Sequence, residues 1–135
     1  MENDLLIRSL WTLGLVLAGI GLYHFATRLV LNRAAGAAQR VTPTGRPSLL
    51  YFTTPECAPC RTVQRPAIHK LKLTLGDRLD VVEINAAERP EVARAWGVLS
   101  VPTTFILDAS GKPLHVNHGV TSAEKLMRQI ESVQS

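Results

Sequence analysis

Thr53-Thr54-Pro55-Glu56-Cys57-Ala58-Pro59-Cys60 holds both cysteines of the 135-residue chain. A short apolar, aromatic run precedes it, Ser48-Leu49-Leu50-Tyr51-Phe52-Thr53, and apolar residues at helical spacing follow it, Val63, Ala67, Leu71 and Leu75. That order predicts a strand, a turn at Thr54-Pro55-Glu56 and a helix that starts at the cysteines. Two cysteines so spaced can close a small disulfide or supply half of a zinc site. Zinc needs four ligands, and the remaining candidates, His24, His69, His115 and His118, show no finger spacing. Inert buried thiols have no reason to stand two apart at a helix start. A redox pair does have one. A helix N-terminus offers unpaired N–H groups and a positive dipole end, which stabilise a thiolate. Cys57 is therefore the expected nucleophile. Pro59, in the first turn, costs little there and stiffens the connection, and Cys60 is the expected resolving thiol. No metal or separate cofactor is expected, because the disulfide itself carries two electrons.

The length suits one domain with a real core. The net charge of +4 is unevenly placed. Residues 1–46 hold five Arg and two acids, while residues 47–135 hold ten Lys or Arg and nine acids. The second part is nearly neutral, which argues against a nucleic-acid surface. In the first part, Ser9 to Thr27 is a run of 19 residues without a charge, and the apolar character continues to Leu31. At about 1.5 Å per residue the run spans a bilayer core of about 30 Å. A cleaved signal peptide is the competing reading, with Ala35-Gly36-Ala37 as the cut. The long apolar stretch, the acids Glu2 and Asp4, and Arg28 and Arg33 ahead of the cut all weigh against it. The reading is thus a single-span anchor (residues 1–31, in the membrane over 9–31), a linker (32–46) and a domain (47–135). Arg8 alone precedes the span, whereas Arg28, Arg33, Arg40 and Arg46 follow it, so the positive-inside rule puts the domain in the cytoplasm. The alternative is an extracytoplasmic domain.

Beyond the first helix, which Pro66 should kink and Gly76 should end, Leu79 to Ile84 reads as a second strand. It is apolar on both faces and so expected to be central. A short helix from Pro90 to Gly97 follows, then a strand over Thr103 to Leu107, a turn at Asp108-Ala109-Ser110-Gly111, and a strand over Pro113 to His118. Thr121 with Glu124 reads as a capping box that opens a last helix. The order is β-α-β-α-β-β-α, with a parallel first pair and a terminal hairpin. Every core element lies after Arg46, so residues 1–40 are expected to be dispensable for folding.

Residues from about 47 to 135 resemble a thioredoxin-like domain. The likeness rests on Cys57-Ala58-Pro59-Cys60, the Gly97-Val98-Leu99-Ser100-Val101-Pro102-Thr103 stretch, Ser110-Gly111-Lys112, and Gly119 after the last strand. It implies a minimal thioredoxin-like α/β fold with a four-stranded mixed sheet, since the strand and helix that thioredoxins place first give way here to the span and linker. It also implies that Pro102 is a cis-proline beside the disulfide, and that Ala58, Pro59, Val101 and Thr103 line the substrate groove. Three departures stand out. Glu56 replaces the usual Trp before the first cysteine, Tyr51 replaces the family's buried acid, and Glu83 stands where a lysine usually pairs with that acid. For Glu83 two readings stand side by side. One is a solvated acid, the ordinary case. The other is a buried proton acceptor for Cys60, suggested by its apolar neighbours Val81, Val82 and Ile84. The resemblance implies a thiol–disulfide oxidoreductase, a disulfide reductase by its Ala-Pro dipeptide, with protein disulfides as substrates and a thiol electron donor. The alternative is a redox-inactive binding module of the same fold.

Overall fold

The computed structural model describes residues 1–38 and 43–134. Helix α1 (Glu2–Ala38) leads to β1 (Ser48–Thr53); a π turn (Cys60–Gln64) and α2 (Arg65–Leu75) follow, then β2 (Asp80–Asn85) and α3 (Pro90–Ala95). The hairpin of β3 (Thr103–Leu107) and β4 (Pro113–His118) and the closing α4 (Ala123–Gln134) complete the chain. The strands form one mixed sheet in the order β2-β1-β3-β4. β1 runs parallel to β2 and antiparallel to β3, and β3 pairs antiparallel with β4. The strand and helix order read from the sequence is therefore the one the chain adopts.

Alternation along β1 divides the core between two faces. Leu49 and Tyr51 pack with both cysteines, Ile68 and Leu71 of α2, and Leu126 and Ile130 of α4. Leu50 and Phe52 face the other way, onto Phe105, Trp96 and Ala93. The rings of Phe52, Trp96 and Phe105 meet edge to face or tilted at centroid separations of 5.1–6.3 Å. Such pairs add about 0.5–1.5 kcal/mol to their burial.

Several expectations are corrected. β2 is an edge strand, not a central one, and its Val82 and Glu83 are exposed. The centre belongs to β1, whose residues from Leu49 to Thr53 are all buried. α1 does not stop at Leu31 before a linker: it continues to Ala38, and Ala34 and Ala38 are buried in the aromatic cluster with Val30 and Ala37 beside them. The helix end thus closes one face of the sheet, and the expected linker is helix over residues 32–38. Its residues 39–42, with Arg40, lie outside the described residues. Pro66 does not kink a continuous α-helix. Its ring would press on the carbonyl four residues back and it has no N–H to donate; a wider turn lies directly upstream, where the Arg65 N–H donates to the Cys60 carbonyl. Finally, Ser122 and not Thr121 caps α4, its Oγ accepting the Lys125 N–H at 3.2 Å.

The β3–β4 turn is held by Asp108, whose Oδ1 accepts the Ser110 N–H, the Ser110 hydroxyl and the Lys112 N–H at 3.0, 2.6 and 3.0 Å. The Ser110 hydroxyl in the first place, and the backbone N–H groups after it, hold the carboxyl below its usual range. A folded-state pKa below the unfolded one gives stability that is present above the unfolded pKa and lost as pH falls through the folded one. Asp108→Ala should cost about 0.5–2 kcal/mol at pH 7, the size of a lost cap. In urea unfolding the gap to the parent should narrow as pH falls below about 4, the unfolded pKa of Asp; a gap constant from about pH 7 to 2 would show that the charged form has no special role.

Candidate redox site

β1 ends at Thr53, and the Thr54-Pro55-Glu56 turn carries the chain to Cys57, whose N–H donates back to the Thr54 carbonyl at 3.2 Å. Ala58 and Pro59 are helical, so Cys57 stands at the helix start and Cys60 one turn in. The two are joined in a disulfide, with an S–S distance of 2.04 Å and Cα atoms 5.3 Å apart. Cys57 is 9 % exposed and Cys60 0 %. The Cys60 N–H points at the Cys57 Sγ, 3.2 Å away. The outer cysteine is therefore the reachable one and faces an N–H donor, and the inner one is sealed behind it. No group of three or more His, Cys, Asp or Glu side chains able to hold a metal is found among the described residues.

Because β1 and β3 are antiparallel, with Phe52 opposite Thr103, the start of β3 lies at the end of β1 that delivers Cys57. There the Val101–Pro102 bond is cis and Pro102 and Thr103 are buried. Val101 packs against the cluster that contains both cysteines. Ala58 and Pro59 are exposed on the outer side of the motif.

Two connections that sequence reasoning did not find lock this rim. The Pro102 carbonyl accepts the Gly119 N–H at 2.8 Å, and Gly119 (φ 81°) has the left-handed backbone that a glycine adopts without strain. Buried Gln64, in the π turn, donates its amide N–H to the Thr121 carbonyl at 3.1 Å and accepts the Thr121 N–H at 2.8 Å. These bonds tie the cysteine turn to the loop before α4, and that loop to Pro102. The only hint in the sequence was a Gln on the buried side of a helix. Gln64→Leu keeps roughly the same volume but strands the Thr121 N–H and C=O, at about 1–3 kcal/mol for an unsatisfied buried group. Urea unfolding should show a loss of that size; a loss below about 0.5 kcal/mol would mean that water takes over both bonds.

Tyr51 and Glu83 sit side by side on β1 and β2. The Tyr51 hydroxyl donates to the Cys60 carbonyl at 3.0 Å, and burial, above all, pushes the phenol up from its ordinary value. It remains a neutral donor, not a base. The buried-acid reading of Glu83 is corrected: its side chain is about half exposed on the open edge of the sheet and its Oε1 pairs with Arg65 at 2.8 Å. A charge on an edge strand also blocks pairing with other strands. Glu56 is exposed beside Cys57.

Comparison with known proteins agrees with this geometry. The sequence profile of the thioredoxin family matches residues 31–132. Chloroplast thioredoxin Y of Oryza sativa subsp. japonica is 33% identical over 87 residues, covering 64% of this chain and 51% of the rice protein. Thioredoxin of Bacillus subtilis (strain 168) is 32% identical over 82 residues, covering 61% of this chain and 77% of the relative. The chain thus spans about half the length of the rice relative and about three quarters of the bacterial one. Among solved structures, a point mutant of thioredoxin from Halobacterium salinarum NRC-1 superimposes with a TM-score of 0.58 at 27% identity, over 66% of this chain and 75% of that one. The profile begins at residue 31, inside α1, where the helix joins the core. Strand order, redox disulfide, cis-proline and profile coincide over the same residues, and the chain belongs to the thioredoxin family.

Proposed function

We propose that this protein is a thiol–disulfide oxidoreductase that acts as a disulfide reductase, tethered to a membrane by α1. The observation that carries the reading is the asymmetry of the disulfide: Cys57 reaches the surface at the helix start with an N–H aimed at its sulfur, and Cys60 is buried behind it. In the reduced protein the Cys57 thiolate attacks one sulfur of a substrate disulfide. A Cys57–substrate mixed disulfide forms, and the other substrate sulfur leaves as a thiolate and takes up a proton. The Cys60 thiolate then attacks the Cys57 sulfur, the Cys57–Cys60 disulfide forms, and the second substrate thiol is released. Two electrons pass to the substrate, and a thiol donor restores the dithiol. Val101, Ala58 and Pro59 form the bed for the substrate chain beside Pro102, whereas Thr103, expected to line the groove, is fully buried and its hydroxyl donates to the Ser100 carbonyl at 2.6 Å beneath it. Glu83 is given no part, since Arg65 engages its carboxylate on the open edge.

The membrane tether is supported by length and composition: α1 has 37 residues, and its most apolar stretch is buried nowhere by the rest of the chain. The excess of Arg after the span supports a cytoplasmic domain. There the pair would be kept mostly reduced, as a reductase requires. Reduction of insulin with dithiothreitol as donor tests the activity. The parent should be active and Cys57→Ser should fall to the uncatalysed rate; equal rates would leave a binding module with the same fold.

A further inference from the structure

The path of α1 along the domain sets which end of the sheet faces a membrane. Where the chain resumes after α1, Pro43 lies against Gly111 in the β3–β4 turn, at the end of the sheet remote from Cys57. Further back, Val30 and Arg33 lie against Gly97, which opens the loop to Pro102, 3.7–3.8 Å from where a Cβ would stand. Still further back, Tyr23 shares a surface depression with His118, Val120 and Lys125 at the Cys57 end of β4. The residues that turn inward, Thr27, Val30, Leu31, Ala34 and Ala38, recur at helical spacing, and every residue from Met1 to Ala26 is exposed. Followed towards its N-terminus, α1 therefore climbs the domain from the remote end and leaves it at the redox end. The charge-free run Ser9–Thr27 is about 28 Å long at about 1.5 Å per residue, close to the thickness of a bilayer core, and its last turns, from Tyr23, reach the redox end of the domain.

The surface at that end suits a membrane interface. Leu99 is 91 % exposed in the loop that leads to Pro102, Val120 is exposed in the loop before α4, and Val63 is exposed in the π turn that follows Cys57. Arg61, Arg94 and Lys125 stand exposed at this end, interspersed with the exposed acids Glu56, Glu88, Glu91 and Glu124, and anionic headgroups attract the basic residues of such a mixed rim.

We propose that the redox face is turned toward the bilayer, and that its substrates are disulfides of membrane proteins held close to the membrane surface. This rests on the reading of α1 as a membrane anchor. A face pointing away would serve soluble proteins and reach disulfides near the bilayer poorly.

The test uses the full chain in phosphatidylcholine/phosphatidylglycerol vesicles. Flotation with the vesicles checks the anchor itself, and a protein that stays behind overturns both readings. In a Cys57→Ser/Cys60→Ser background, a fluorophore is attached at Leu99→Cys or at Ala109→Cys, two exposed sites at opposite ends of the sheet. Headgroup-nitroxide lipid should quench the probe at 99 several-fold more than the probe at 109. Equal or reversed quenching in a protein that floats overturns the orientation and leaves the anchor standing. With the parent protein, a disulfide peptide is coupled to lipid through about 3 or about 20 residues, reaching at most about 10 or 70 Å. The short tether should be reduced at least as fast as the long one; a roughly tenfold slower rate on the short tether overturns the proposal. Insulin reduction in the same vesicles reports the activity separately.

Discussion

Cys60→Ser should attack disulfides once and stop. Cys57 keeps its place at the helix start and the N–H of residue 60 that faces its sulfur, so the first exchange is preserved. The second exchange loses its nucleophile. In the parent that nucleophile is within bonding reach, as the Cys57–Cys60 disulfide demonstrates. Well-oriented intramolecular groups act at effective concentrations on the order of 10⁵ M or more, against millimolar thiol in solution. Multiple turnover should therefore fall on the order of 10³-fold or more, while intact-mass measurement shows one substrate chain bound per protein, released by dithiothreitol. Cys57→Ser should show no adduct. Release from Cys60→Ser at the parent rate would mean that the buried cysteine is not the resolving thiol.

The redox site was legible because its parts are contiguous: strand, turn and helix start follow one another from Ser48 to Leu75, and each leaves its own local pattern. Strand order is not written locally. Val81, Val82 and Ile84 give β2 an apolar appearance on both faces, yet no strand covers its outer side among the described residues, so Glu83 meets water and Arg65. The Gln64–Thr121 pair was hidden by a separation of 57 residues. Thr121 resembled a cap, but Gln64 holds its backbone N–H and C=O, and α4 is capped one residue later by Ser122. The end of α1 was hidden for another reason. Ala34, Ala37 and Ala38 are small, and a patch of alanines reads as a spacer unless the aromatic surface it fits is known.

That surface makes truncation of α1 sensitive to where the cut falls. Deletion of residues 1–22 removes only exposed helix and should leave a folded domain. Deletion of residues 1–42 also removes Val30, Ala34 and Ala38, and returns to water the side of the cluster formed by Phe52, Trp96 and Phe105. Each large apolar side chain so exposed costs about 1.5–3 kcal/mol, so a total on the order of 3–5 kcal/mol is expected. A domain of this size has about 5–15 kcal/mol in all, and such a loss leaves it marginal. Urea unfolding of the two fragments, followed by Trp96 fluorescence with Trp11 absent from both, gives the difference directly. Equal midpoints would show that the helix end adds nothing to the core and that the anchor is joined to the domain by a tether alone.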